Sequence, residues 1–307
     1  MKTVLITGGT GLVGTSLSAT LLTKGYKVII LSRSLNNRPA HTNLSYAFWD
    51  IKTQKIHADE ILQADCIVHL AGAAVVANKW TKVYKNEIVD SRIQSSKLII
   101  NLLKNNINKV KTVISASAIG WYGTNKEAAI PFIETDEADD SFLGTTCKSW
   151  EASIDAITNL GIRLVKLRIG IVLSNNGGAL AKFKKTIKLG AATILGNGKQ
   201  VISWIHINDL CRMIIYTLEN ESNSGVYNAV APYPVSNKKL TITLAKAMNG
   251  KFYIPMYLPA YVLKILMGQR SIELLKSSTV SCKKIMDAGF KFNYENIGQA
   301  FTNLIKK

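Results

Sequence analysis

The sequence predicts an α/β fold: a doubly wound parallel sheet with a smaller, mainly helical substrate lobe on its C-terminal side. Three observations lead there. Short apolar runs alternate with helix-length segments through the first two-thirds of the 307 residues, the succession of a parallel sheet covered by helices on both faces. The first strand runs directly into a glycine-rich turn and a helix. After Leu173 the pattern loosens, and Gly177, Gly178, Gly190, Gly196 and Gly198 punctuate a segment that leaves the sheet.

Taken in order, Val4 to Ile6 reads as a buried strand, and the helix after the turn is stopped near Lys24 by Gly25. Val28 to Leu31, Ser45 to Trp49 and Cys66 to Leu70 are the second to fourth strands. A long helix over Val83 to Lys104 leads to a fifth strand, Val110 to Ser115. A polar loop then reaches Leu143, followed by a helix from about Thr145 to Asn159, closed by Gly161, and a sixth strand, Arg163 to Leu167. Asn208 to Glu219 is amphipathic and helical, and Val226 to Val230 reads as a strand returning to the sheet. Residues 1–175, with 204–231 returning, are therefore expected to form the sheet domain, and 176–203 with 232–307 the lobe. The apolar stretch Ile254 to Met267 is too short to span a membrane and carries Pro255, Pro259 and Lys264. It is expected to be a core helix starting at Pro259.

The turn reads Thr7-Gly8-Gly9-Thr10-Gly11-Leu12-Val13-Gly14. Between a strand and a helix, this glycine spacing is the Rossmann-type fingerprint of a dinucleotide site. Gly8 permits the tight turn, Gly11 lets a pyrophosphate approach the backbone, and Gly14 allows close packing of the helix. The N–H groups at the helix start favour phosphate. An NAD site usually carries an acid at the end of the second strand. Here that strand ends in Ser32-Arg33-Ser34, and the first acid in the chain is Asp50. An arginine fork with a serine hydroxyl suits a 2′-phosphate, so the expected cofactor is NADP.

A net charge of +18 raises the question of nucleic acid, but 31 of the 38 cations are lysines scattered along the chain. No basic arm interleaved with aromatics is present, so no nucleic-acid partner is expected. Neither a secretory leader nor a membrane partner is expected, because the first apolar run is short and meets a glycine turn. Cys66, Cys147, Cys211 and Cys282 lack metal-type spacing. They read as thiols of a reducing, cytoplasmic compartment, with no metal site.

Further patterns follow in order: His69-Leu70-Ala71-Gly72, Lys79-Trp80-Thr81, Glu87 with Ser91-Arg92, and Ser115 to Gly123. Trp150-Glu151, Gly177 to Leu180, Trp204 to Asp209 and Ala288-Gly289-Phe290 complete the set. Over essentially the whole chain this resembles the atypical extended short-chain dehydrogenase/reductases, the "epimerase family" oxidoreductases. The resemblance implies that cofactor contacts include Gly8, Thr10, Gly11, Leu12, Val13, Gly14, Ser32, Arg33, Leu70, Ala71, Gly72, Glu87, Arg92, Ser115 and Ile171. Glu87 could accept from a ribose hydroxyl and Arg92 could pair with phosphate.

In the wider superfamily a Tyr and a Lys four residues later exchange a proton with the substrate oxygen. Registered on Glu151, those positions hold Leu143 and Cys147, and Lys148 lies roughly 100° away around the helix. Ser117 keeps the place of the superfamily serine, as a substrate hydrogen-bond donor. Tyr122 in the following loop is the candidate replacement acid, and His206 is expected to anchor the lobe. The expected activity is NADP(H)-dependent oxidation or reduction of a small carbonyl or alcohol. A non-catalytic NADP(H) sensor and a nucleotide-sugar epimerase are the alternatives, the last resting on the missing tyrosine.

Overall fold

The computed structural model describes residues 1–36, 39, 41–57, 61–125 and 130–305. Its centre is an eight-stranded sheet. In chain order the strands are β1 (Thr3–Thr7), β2 (Lys27–Ser32), β3 (Leu44–Asp50), β4 (Lys55–Ile56), β5 (Cys66–His69), β6 (Thr112–Ala118), β7 (Arg163–Ile169) and β12 (Gly225–Ala229). They lie in the order β12-β7-β6-β5-β1-β2-β3-β4. All neighbours are parallel except the short edge pair β3–β4. The chain winds outward from β1 through β2 and β3, then returns to β5 on the other side. The carboxyl ends of β1 and β5 therefore flank the switch point where such sheets bind ligands.

Alternation along the strands builds two cores, because successive side chains point to opposite faces. Val4 and Ile6 of β1 pack with Leu17 and Leu21 of helix α1 (Leu12–Thr23) and with Leu210 and Ile214 of α5 (Ile207–Glu219). Leu5 faces the other way, toward Ile99 and Leu102 of α2 (Lys82–Asn105) and Ile154 of α3 (Phe142–Asp155). The long helix starts one residue earlier than expected because Thr81 caps it, its side chain accepting from the Tyr84 amide at 3.2 Å.

The lobe has its own core of Leu173, Leu180, Trp204, Leu240 and Phe301, among others. Its helices include α4 (Gly178–Lys188), α6 (Asn237–Asn249), α7 (Ala260–Met267), α8 (Arg270–Leu275) and, at the C-terminal end, α10 (Ile297–Leu304). Three small strand pairs accompany them: β8 (Ile171–Ser174) with β11 (Trp204–His206), β10 (Val201–Ile202) with β13 (Val235–Ser236), and β9 (Ala191–Leu195) with β14 (Ile254–Leu258).

Two expectations change. Residues 280–292, with α9 (Lys283–Asp287), send Val280, Ile285, Phe290 and Phe292 into the main sheet's core rather than the lobe's. The stretch from Pro259 is a helix, but only Leu263 of α7 is buried. Its apolar composition serves a surface, not a core. No described helix is long and apolar enough to cross a membrane.

Candidate dinucleotide and substrate cleft

The cleft begins at the turn after β1. Gly8 holds φ +68°, and a Cβ there would press on the Leu70 carbonyl at 2.9 Å, so only glycine lets β1 and β5 approach. A Cβ on Gly14 would collide with the Gly8 carbonyl and with Gly9. Gly14 thus lets α1 pack on the turn itself. Gly11 differs, since a Cβ there would meet only the Gly8 carbonyl, at 3.3 Å. It caps α1 with extended backbone and no side-chain hydrogen bond, and the first turn carries no acid. Thr10 and Gly11 are exposed while Leu12 and Val13 are half-buried. An open helix N-terminus without a side-chain cap suits a diphosphate.

Beneath the turn lies a buried polar relay that the sequence reading passed over. The Leu70 and Ala71 amides both donate to Thr7 Oγ1 at 3.1 Å. The Thr7 hydroxyl is thereby left to donate to His69 Nδ1 at 2.7 Å. His69 Nε2 faces Ser95 and Ser96 at 3.3 and 3.4 Å, and both serines donate to the Arg92 carbonyl. Each serine therefore accepts from His69, which is neutral with its proton on Nε2. Burial pulls its pKa down to about 3. The register Thr7↔His69 across β1 and β5 was the available signal, because a polar residue ending each of two adjacent buried strands needs a partner.

The rim after β5 is stitched by side chains. Ser91 Oγ accepts from the Ala73 amide at 2.9 Å, and Arg92 Nη1 donates to the Ala73 carbonyl at 3.2 Å and to Ile88 at 2.7 Å. Tyr84, Trp80 and Arg270 donate to the carbonyls of Ala74, Val75 and Val76. Arg92 lies over the Trp150 ring and crowds Gly72. Arg92 is buried and braces the Gly72–Ala73 backbone. Glu87 stands exposed on α2.

At the end of β2, Arg33 is exposed and forms no ion pair with any described residue. Ser32 is buried, and its hydroxyl donates to the Ser34 carbonyl at 2.8 Å. Ser32 shapes the bend after the strand, so the hydroxyl expected to assist Arg33 is already engaged. Ser115 is buried on β6, and Ile171 lies partly exposed at the start of β8.

Ser117, near the end of β6, and Tyr122, in the turn after it, are both engaged by other side chains. Ser117 is buried and donates to Glu151 Oε1 at 2.7 Å. Glu151 is held in a two-pronged pair by Arg168, Nε to Oε1 at 2.8 Å and Nη2 to Oε2 at 3.2 Å. Burial would lower the Arg168 pKa, but Glu151 outweighs it and the guanidinium is held charged. Ser117 therefore offers a lone pair, not a proton, to any further partner.

Tyr122 cannot be the replacement acid in this arrangement. It is fully buried, stacked on Phe132 at 5.0 Å, and its hydroxyl donates to Asn228 Oδ1 at 2.7 Å while accepting from Arg168 at 3.0 Å. Burial pushes its pKa up to about 12. Leu143 and Cys147 sit side by side against Gly120. Lys148 points to solvent. The Cys147 thiol is pushed up to about 11 by burial. His206 caps α5 by accepting from the Asn208 amide at 3.0 Å and stacks on Tyr294. No group of residues fit to hold a metal occurs among the described residues.

Sheet order, glycine turn and cleft define a dinucleotide-binding α/β protein of the short-chain dehydrogenase build. The chain belongs to the NAD dependent epimerase/dehydratase family, whose model matches residues 4–230. A domain of unknown function, DUF1731, matches residues 258–304. An epimerase family protein of Staphylococcus aureus is 34% identical over the whole of both chains. The Bacillus subtilis epimerase family protein YfhF is 33% identical over 98% of this chain and 97% of its own. The crystal structure of the human epimerase family protein SDR39U1 with NADPH is similar at a TM-score of 0.84 and 26% identity, covering 99% of each chain.

Proposed function

We propose that the protein is an NADP(H)-dependent oxidoreductase acting on a small carbonyl or alcohol. The observation that carries this reading is the open N-terminus of α1 at Gly11 combined with exposed Arg33, and no acid, at the end of β2. The helix terminus binds the diphosphate, and Arg33 binds the 2′-phosphate that NAD lacks. Bound there, NADP(H) supplies hydride chemistry. Ser117, its hydroxyl donating to Glu151, accepts a hydrogen bond from a substrate hydroxyl and so orients an alcohol more readily than a carbonyl. With Leu143, Cys147 and buried Tyr122 unable to exchange protons near neutral pH, water carries the proton. Four buried free thiols accord with a reducing compartment, and we place the protein in the cytoplasm.

A second reading, an NADP(H) sensor without turnover, draws on the same missing donor. An epimerase reading requires the donor that is missing. One experiment separates them: NADPH oxidation followed across a panel of aldehydes and ketones, with NADP reduction followed across alcohols, beside direct NADPH binding. Turnover with any member supports the oxidoreductase; tight binding with none supports the sensor.

A further inference from the structure

The apolar stretch that the sequence assigns to a core lies on the surface of the lobe. Leu189 at the end of α4, Phe252, Ile254 and Met256 around β14, and Tyr261 and Ile265 on α7 are each between 53% and 87% exposed. They follow one another along the β9–β14 pair and the helix that leaves it. Strand β14 pairs with β9 from Ile254↔Ala191 onward, and the Ile254 amide donates to the Gly190 carbonyl at 2.8 Å. Leu189 and Phe252 thus lie at one end of the pair. Helix α7 leaves the other end through Pro259, turns Leu263 inward and presents Tyr261 and Ile265 on the opposite side. An exposed apolar face of this kind marks an interaction site.

Charge selects the partner. Between Asp155 and Asp209, and again between Glu221 and Glu273, the sequence contains no Asp or Glu. These two segments include the whole of β9, β14, α4, α6 and α7. Lys188, Lys251 and Lys264 are exposed among the apolar side chains. A second copy would bring like charges together on a chain already at +18, and nucleic acid would leave the aliphatic groups without an apolar partner. An anionic bilayer satisfies both features: apolar and tyrosine side chains enter the interface while lysines reach the headgroups.

We propose that this face docks the protein on anionic membrane surfaces, peripherally and without spanning. Arg270, at the start of α8, donates to the Val76 carbonyl. The segment after the docked face thus touches the rim that follows β5.

The test is flotation of the full-length protein with phosphatidylglycerol-containing vesicles and with pure phosphatidylcholine vesicles, at low and high salt. Circular dichroism verifies folding of each variant. The expected result is binding to the anionic vesicles only, weakened by salt and reduced at least tenfold by Ile265→Ser and by Lys251→Glu with Lys264→Glu. Lys104→Glu, on α2 in the sheet domain, should leave it unchanged. Failure to bind anionic vesicles at low salt overturns the proposal. So does binding that Lys104→Glu weakens as much as the lobe variants, because that is bulk charge alone. Sedimentation as a dimer that Ile265→Ser dissociates, without vesicle binding, assigns the face to a second copy and also overturns it. Salt-sensitive DNA binding, without vesicle binding and indifferent to Ile265→Ser, does the same.

Discussion

Replacing Gly11 by valine separates binding from folding at one atom. Gly11 has φ −82° and ψ 176°, a backbone conformation that valine adopts without strain. The first added carbon meets only the Gly8 carbonyl, at 3.3 Å, so the folded state should lose no more than about 1 kcal/mol. The two methyl groups, however, stand over the open N–H groups at the start of α1, where a diphosphate is expected. Two charge-assisted hydrogen bonds lost there remove about 3–6 kcal/mol. At 1.4 kcal/mol per factor of ten, that is roughly a hundredfold to ten-thousandfold in affinity. The assay is a calorimetric titration with NADPH beside a urea melt. Gly14→Val is the contrast, since its Cβ collides with Gly8 and Gly9 and should destabilise the fold by about 1–3 kcal/mol or more. Gly11→Val with undiminished NADPH affinity would refute the placement of the diphosphate.

Other outcomes follow from the buried polar groups. Glu151→Ala leaves the Arg168 guanidinium buried without its anion and should cost about 3–5 kcal/mol in urea denaturation; a loss below about 1 kcal/mol would contradict the pairing. Tyr122→Phe removes a hydroxyl that bridges Arg168 and Asn228 and should cost about 1–3 kcal/mol of stability, with no new ionisation near neutrality in any pH–rate profile. Burial holds His69 at about 3 and His206 at about 4, below the ordinary 6.5. The unfolded chain then binds more protons, so stability is full above about pH 6.5 and falls toward pH 4, by up to about 1.4 kcal/mol per pH unit for each histidine. Urea midpoints identical at pH 5 and pH 7 would contradict this. All four cysteines are buried, so thiol reagents should label the folded protein slowly and the urea-unfolded protein at once; rapid labelling of the native state would show otherwise.

The parallel sheet was legible in the sequence because its strands are buried on both faces and its helices carry local stops such as Gly25 and Gly161. The glycine turn was legible because its conformational demands exclude other residues. The polar interior of the site was not, for a different reason. Ser117, Glu151, Arg168, Tyr122 and Asn228 lie far apart in the chain, and only the pairing of β6, β7 and β12 brings them together. Arg168 in an otherwise apolar strand signalled a need for an anion, but not which one. The exposed helix α7 was misread because apolar composition reports affinity for any non-aqueous partner, not for this chain's own core. The backbone bonds of Arg92 were not legible either, because an arginine near a phosphate site can equally brace backbone.

The proposed selection of NADP(H) rests on Arg33 at the end of β2. Equilibrium titration of the unaltered protein with NADPH and with NADH, repeated with Arg33→Ala, tests it most directly. NADPH should bind about tenfold to a hundredfold more tightly, the value of one charge-assisted contact, and Arg33→Ala should remove most of the difference. Equal affinity for the two cofactors in the unaltered protein, or a preference that survives Arg33→Ala intact, would contradict it.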